Sequence, residues 1–119
     1  MSKHNHPKQR EIWQFDPDPV VGCELGYKPR PALIISNNMM NQGSSNMVII
    51  VPCTSKHKSI PSHIRIDPPN GGLESVSFAV CDQIRAISKG RLIKKYGIVD
   101  PRILKEVLDW IADLIRFDS

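Results

Sequence analysis

Lys28-Pro29-Arg30-Pro31-Ala32-Leu33-Ile34-Ile35-Ser36-Asn37 and Val48-Ile49-Ile50-Val51-Pro52-Cys53-Thr54-Ser55-Lys56-His57-Lys58 decide the fold of this chain. In each, an apolar run of strand length, rich in Ile and Val, abuts a tight group of polar and basic side chains. Residues 32–36 and 47–53 read as the central strands, separated by an Asn/Ser/Gly turn region at 41–46. Arg30 stands just before the first strand, whereas Thr54, Ser55, Lys56, His57 and Lys58 stand just after the second. The two groups therefore meet at one rim of a small sheet, and a rim of that composition is a site for phosphate.

Working outward, residues 11–16 alternate polar with apolar, the period of a half-buried strand, before Pro17 and Pro19 end it. Residues 22–31 read as a loop. Residues 63–67 alternate again, 68–72 form a Pro/Gly turn, and 76–81 give a further apolar strand. The period then changes. Asp100 reads as an N-cap and Pro101 as the first helical residue, after which Ile103, Leu104, Val107, Leu108, Ile111, Leu114 and Ile115 recur at helical spacing over about four turns. Five or so short strands followed by an amphipathic helix imply a mostly β, α+β domain: a strongly curved sheet or partly closed barrel with a helical lid. Residues 1–9 read as a loose tail and 10–119 as one domain.

The composition suits that size. The chain has 119 residues, 40% hydrophobic and 24% charged, enough for one modest core. The apolar run at 47–53 is far short of the ~20 residues a membrane-spanning helix needs, and the polar start lacks a signal-peptide core, so the expected compartment is the cytoplasm, away from membranes. Three cysteines in no disulfide-framework spacing fit a reducing environment, with Cys53 and Cys81 as small buried hydrophobes. The net charge is +4, but its distribution says more. Between Glu24 and Asp67 stand Lys28, Arg30, Lys56, Lys58 and Arg65 and no acid; Arg85, Lys89, Arg91, Lys94 and Lys95 follow Asp82 with no acid before Asp100. One cationic face results, fit for nucleic acid or simply solvated.

Cleavage of RNA without a metal needs a base for the 2′-hydroxyl proton, cations for the charge that develops at phosphorus, and a donor for the leaving 5′-oxygen. No cofactor is implied, and the His and Cys positions show no metal-ligand spacing. Arg30 can hold two phosphate oxygens at once and stays charged. Thr54 and Ser55 offer hydroxyls at a strand end, where a plain turn or cap is the ordinary use. Glu24 is the lone carboxylate in a long basic region, a proton acceptor or a loop ion-pair partner; Lys58 is a leaving-group donor or a solvated lysine. His57 adds a group that titrates near neutral pH. Asn37, Ser55, Lys56, His57 and Gln83 can bond the base edges or phosphates of an unpaired strand, and Asp82 and Arg85 flank Gln83 where a strand ends. Neither Trp13, read as core, nor Trp110, read as lying off the main helix stripe, sits in a basic motif, so no base-stacking platform is evident.

Four motifs in this order, with Gly22-Cys23-Glu24, Arg30-Pro31, Pro52-Cys53-Thr54 and Asp82-Gln83 at their centres, resemble the MazF/PemK toxin endoribonucleases over about residues 10–117. The resemblance implies an SH3-like barrel with a C-terminal helix, and a sequence-selective, metal-independent endoribonuclease leaving 2′,3′-cyclic phosphate and 5′-hydroxyl ends. It places the usual catalytic pair on Arg30 and Thr54, with Glu24 and Lys58 as further catalytic residues and Asp82 in catalysis or RNA contact. The implied partners are single-stranded RNA, a second copy in a homodimer, and an acidic antitoxin through which DNA is reached only indirectly. Three features depart from the family's pattern: Cys23 where Ser or His is usual, Val80 in place of an Arg two residues before Asp82, and a 22–31 loop one residue longer. Other readings on the same fold are a CcdB-like gyrase inhibitor and a non-catalytic RNA-binding module.

Overall fold

The computed structural model describes residues 6–17 and 28–119. It contains seven strands, β1 (Glu11–Phe15), β2 (Arg30–Ile34), β3 (Met47–Thr54), β4 (His63–Ile66), β5 (Ser77–Val80), β6 (Arg85–Ser88) and β7 (Leu92–Ile98). A single-turn helix α1 (Asn38–Asn41) follows β2, and α2 (Pro101–Leu114) follows β7. The strands pair antiparallel in the order β4-β5-β3-β2-β1-β7, and β6 also pairs with β3. The long central strand β3 carries β2 on one edge; on the other, its first half pairs with β6 and its last two residues with β5. Among the described residues no ladder joins β7 back to β4, so the sheet is curved and open.

Strand alternation divides the sheet into two faces. On one, Ile12, Leu33, Val51, Cys53, Ile64, Ile66, Ala79 and Cys81 meet Ile103, Leu104, Val107 and Ile111 of α2, forming the larger core. The 14 residues of α2 match the four turns read from the sequence, but its apolar stripe is narrower than expected. Leu108 and Leu114 within α2, and Ile115 just past its end, are exposed. The other face holds a smaller core of Phe15, Ala32, Ile34, Val48, Ile50 and Ile87, flanked by Trp13 and Leu92. Trp110 packs half-buried against the helix-side core, not away from it.

Several local readings change in the structure. Of the tail expected at 1–9, residues 6–9 are docked: Pro7 is buried, the Gln9 amide donates to Asn38 Oδ1, and its side chain donates to the Ile35 carbonyl. Asp100 stands at the N-cap of α2 without capping it; its carboxylate accepts from Asn70 Nδ2 while its own N–H donates to Asn70 Oδ1. That pair ties the 68–72 turn to the start of the helix. Gly71 and Gly72 have φ of 70° and 73°, and a Cβ on Gly72 would lie 2.0 Å from the Tyr96 carbonyl oxygen, so only glycine lets this turn lie against β7.

Burial suffices to push the Cys53 thiol up to about 12; Cys81 is raised as far by burial, then by the charges of Asp82 and Glu106. Both behave as the small apolar residues read from the sequence. Among the described residues no helix is long and apolar enough to cross a membrane.

Candidate active site

Register places the candidate residues. Ala32 pairs with Pro52, Leu33 with Val51 and Ile34 with Ile50; continued two residues, the ladder sets Arg30 opposite Thr54. Thr54 pairs on its other side with Phe78, which pairs with Arg65, and Arg30 pairs with Phe15. Residues directly opposite in a sheet share a face with Cβ atoms about 5 Å apart. Phe15, Arg30, Thr54, Phe78 and Arg65 therefore form one cross-strand row on the face away from α2. The Arg30–Thr54 place in this row follows from the register continued beyond Ala32 and Pro52.

The chemistry of the row follows from its partners. Arg30 is half-buried, and its Nε is buried with no hydrogen-bond partner among the described residues. An unsatisfied charged donor of this kind is costly, and a planar guanidinium is matched well by an anion that offers two acceptor oxygens, such as phosphate. Thr54 Oγ1 accepts the Lys56 N–H at 3.2 Å, an ST-type turn that ends β3 and leaves the hydroxyl proton to donate toward an anion. Ser55, Lys56, His57 and Lys58 follow in an exposed segment outside regular structure. The His57 ring lies parallel on Phe78, with centroids 4.9 Å apart and planes inclined by 14°. Arg65 is engaged by Asp67, Nε to Oδ1 at 2.7 Å.

The next row on this face runs Trp13, Ala32, Pro52, Val80, His63. The His63 side chain is 7% exposed, its Nε2 lies 3.6 Å from Asp82 Oδ1, and its Nδ1 is buried with no partner among the described residues. Asp82 and Gln83 stand in a 3-10 turn at the end of β5, and Arg85 begins β6 opposite Ile50. Ile50 lies four residues from Thr54, or about 13 Å along β3. Arg85 and the His63–Asp82 pair thus share the face of Arg30 and Thr54 but sit one to two rows away.

Not every expected residue gathers here. Asn37 lies beyond the opposite end of β2 from Arg30, and its Oδ1 accepts the Met40 N–H as the cap of α1. It is a structural residue, held there because Ser36 and Asn41 bond each other and Ser36 Oγ accepts the Ile49 N–H. Glu24, with Cys23 and most of the 22–31 loop, lies outside the described residues. Phe78 and His63 escaped the sequence reading because both are placed by strand register; the histidine's position two residues before Arg65 on an alternating strand is the one local hint. A pocket of about 420 Å³ lies elsewhere, at the β1–β7 edge. There the buried Glu11 carboxylate is saturated by the Lys8 N–H, the Trp13 indole and Lys95 Nζ. Among the described residues no group of three or more His, Cys, Asp or Glu side chains is placed to hold a metal ion.

An open antiparallel sheet with a C-terminal helix behind it is a fold already known from solved structures. MazF from Deinococcus radiodurans superposes with a TM-score of 0.80 at 21% identity, covering 93% of this chain and 97% of that one. A mycobacterial endoribonuclease in complex with its cognate antitoxin superposes at 0.74 with 24% identity, covering 95% and 98%. Residues 8–115 match the PemK-like, MazF-like toxins of type II toxin-antitoxin systems, and the chain belongs to that family. Endoribonuclease EndoA of Bacillus subtilis is 33% identical over 101 residues, 84% of this chain and 86% of that protein.

Proposed function

We propose that this chain is the toxin of a toxin–antitoxin pair and an endoribonuclease that cuts single-stranded RNA at the Arg30–Thr54 row. The observation that carries this reading is the buried Nε of Arg30, without a partner among the described residues, on a residue that the continued β2–β3 register sets in one row with Thr54; membership in a family whose curated relatives include an endoribonuclease supports it. The RNA supplies its own nucleophile. As the 2′-oxygen bonds to phosphorus, a base takes its proton, Arg30 and Thr54 hold the non-bridging oxygens, and the P–O5′ bond breaks with proton delivery to the leaving oxygen. The products are a 2′,3′-cyclic phosphate and a 5′-hydroxyl, and no metal-activated water is needed.

Glu24, His57 and Asp82 are the candidate bases, and Lys58 the candidate donor to the leaving oxygen. Ser55, Lys56, Gln83 and Arg85 are RNA contacts. The cationic face also suits an acidic antitoxin segment, in keeping with the antitoxin complex of the mycobacterial relative. A homodimer working in the cytoplasm completes the reading. The test is incubation of the purified chain with a long unstructured RNA in EDTA, followed by mapping of cut sites and their end groups. Discrete cuts ending in cyclic phosphate are the expected result. An intact RNA, with gyrase inhibited or RNA bound uncut, would replace this reading with a gyrase-directed or purely binding one.

A further inference from the structure

Phe78 pairs with Thr54 and is 5% exposed, while the histidine stacked upon it is exposed. One face of the His57 imidazole is therefore covered by Phe78 and the other is turned outward, held parallel to the phenyl ring. His57 follows Thr54 by three residues, and its ring stacks on the residue that pairs with Thr54. A phosphate held at Arg30 and Thr54 thus has a flat, preorganised π surface within a nucleotide's reach. Lys56 and Lys58, the exposed chain neighbours of His57, add positive charge to the same segment.

We infer that His57, backed by Phe78, forms a nucleobase subsite on which an unpaired base next to the scissile phosphate stacks. The inference rests on the RNA-cleaving reading and adds a shelf to it. Unpaired bases are recognised by stacking on aromatic and imidazole rings, and a ring already immobilised by a partner gives up less freedom when the base arrives. A histidine that merely roofed Phe78 would be replaceable by leucine at no cost to the reaction. A shelf for a base is not.

The test uses the full chain with His57→Leu and His57→Phe, each checked for an unchanged melting temperature. The substrates are a short RNA with one mapped cut site and two versions abasic at each flanking nucleotide in turn. On the normal RNA, His57→Leu should lose about 5- to 150-fold in kcat/KM, chiefly through KM, and His57→Phe should regain most of it. One abasic RNA should slow the wild type by a similar factor and slow His57→Leu no further. Wild-type kcat/KM in His57→Leu, or equal abasic penalties in both proteins, would overturn the shelf. A loss confined to kcat that phenylalanine does not restore would also overturn it, assigning His57 to proton transfer. Absence of cutting by the wild type would instead overturn the RNA reading, and the shelf with it.

Discussion

The two faces of the sheet are built from the same strands and do opposite things. Leu33, Val51, Cys53 and Ala79 point toward α2 and are fully or almost fully buried among apolar neighbours. Alternating with them, Arg30, Thr54 and Phe78 point the other way, where the smaller core runs out at the rim. Each residue on the helix side is satisfied by its neighbours. On the far side a guanidinium nitrogen and an imidazole nitrogen are buried without partners among the described residues. The comparison teaches that the helix-side core provides the stability that lets the other face keep unsatisfied polar groups ready for an anion.

Substitutions on the two faces should therefore separate stability from activity. The largest effect is expected from Leu33→Ala, which empties a fully buried site on the helix side. It should cost about 2–5 kcal/mol in urea unfolding while leaving the cleavage rate per folded molecule unchanged; a parallel loss of intrinsic rate would mean that the faces are coupled. Arg30→Lys keeps the charge but not the planar fork, and RNA cleavage should fall about 10- to 100-fold at an unchanged melting temperature. Full activity in the lysine variant would reduce Arg30 to a point charge.

Alkali probes the buried thiols of the helix side. The Cys53 thiol is held protonated up to about 12, whereas in the unfolded chain it ionises near 9.0. Its contribution is complete below pH 9 and is lost as pH rises toward 12, since in that interval the unfolded state binds fewer protons. Stability should then fall by roughly 1.4 kcal/mol per pH unit for this thiol. Ready alkylation of Cys53 in the folded protein at pH 8 would contradict its burial. The smallest effect is expected from Asn70→Ala, which removes both hydrogen bonds to Asp100 and should cost about 1 kcal/mol by thermal melting with no change in cleavage.

The same contrast decides what could be read before the structure. Residues 32–36, 47–53 and the α2 stripe announce themselves through hydrophobic period, because one-sided or complete burial leaves that mark. β6 is four residues long, and β7 carries exposed Lys94 and Lys95 and ends beside Gly97, so neither bears the mark. The positions of Arg30 and Thr54 at strand ends were legible because each adjoins a recognisable strand. Phe78 and His63 were not, because register alone brings them to that face. The capping role of Asn37 was not legible, since it serves a helix of four residues that no periodicity reveals.

The central claim is that Arg30 and Thr54 act as one unit on RNA. The most direct measurement is the cleavage rate of Arg30→Ala, Thr54→Ala and the double variant on one defined RNA, each with its melting temperature. The account predicts a loss of at least about 100-fold in each single variant, a double variant little worse than either, and melting temperatures near the wild type. Undiminished cleavage by a well-folded Arg30→Ala protein would contradict it.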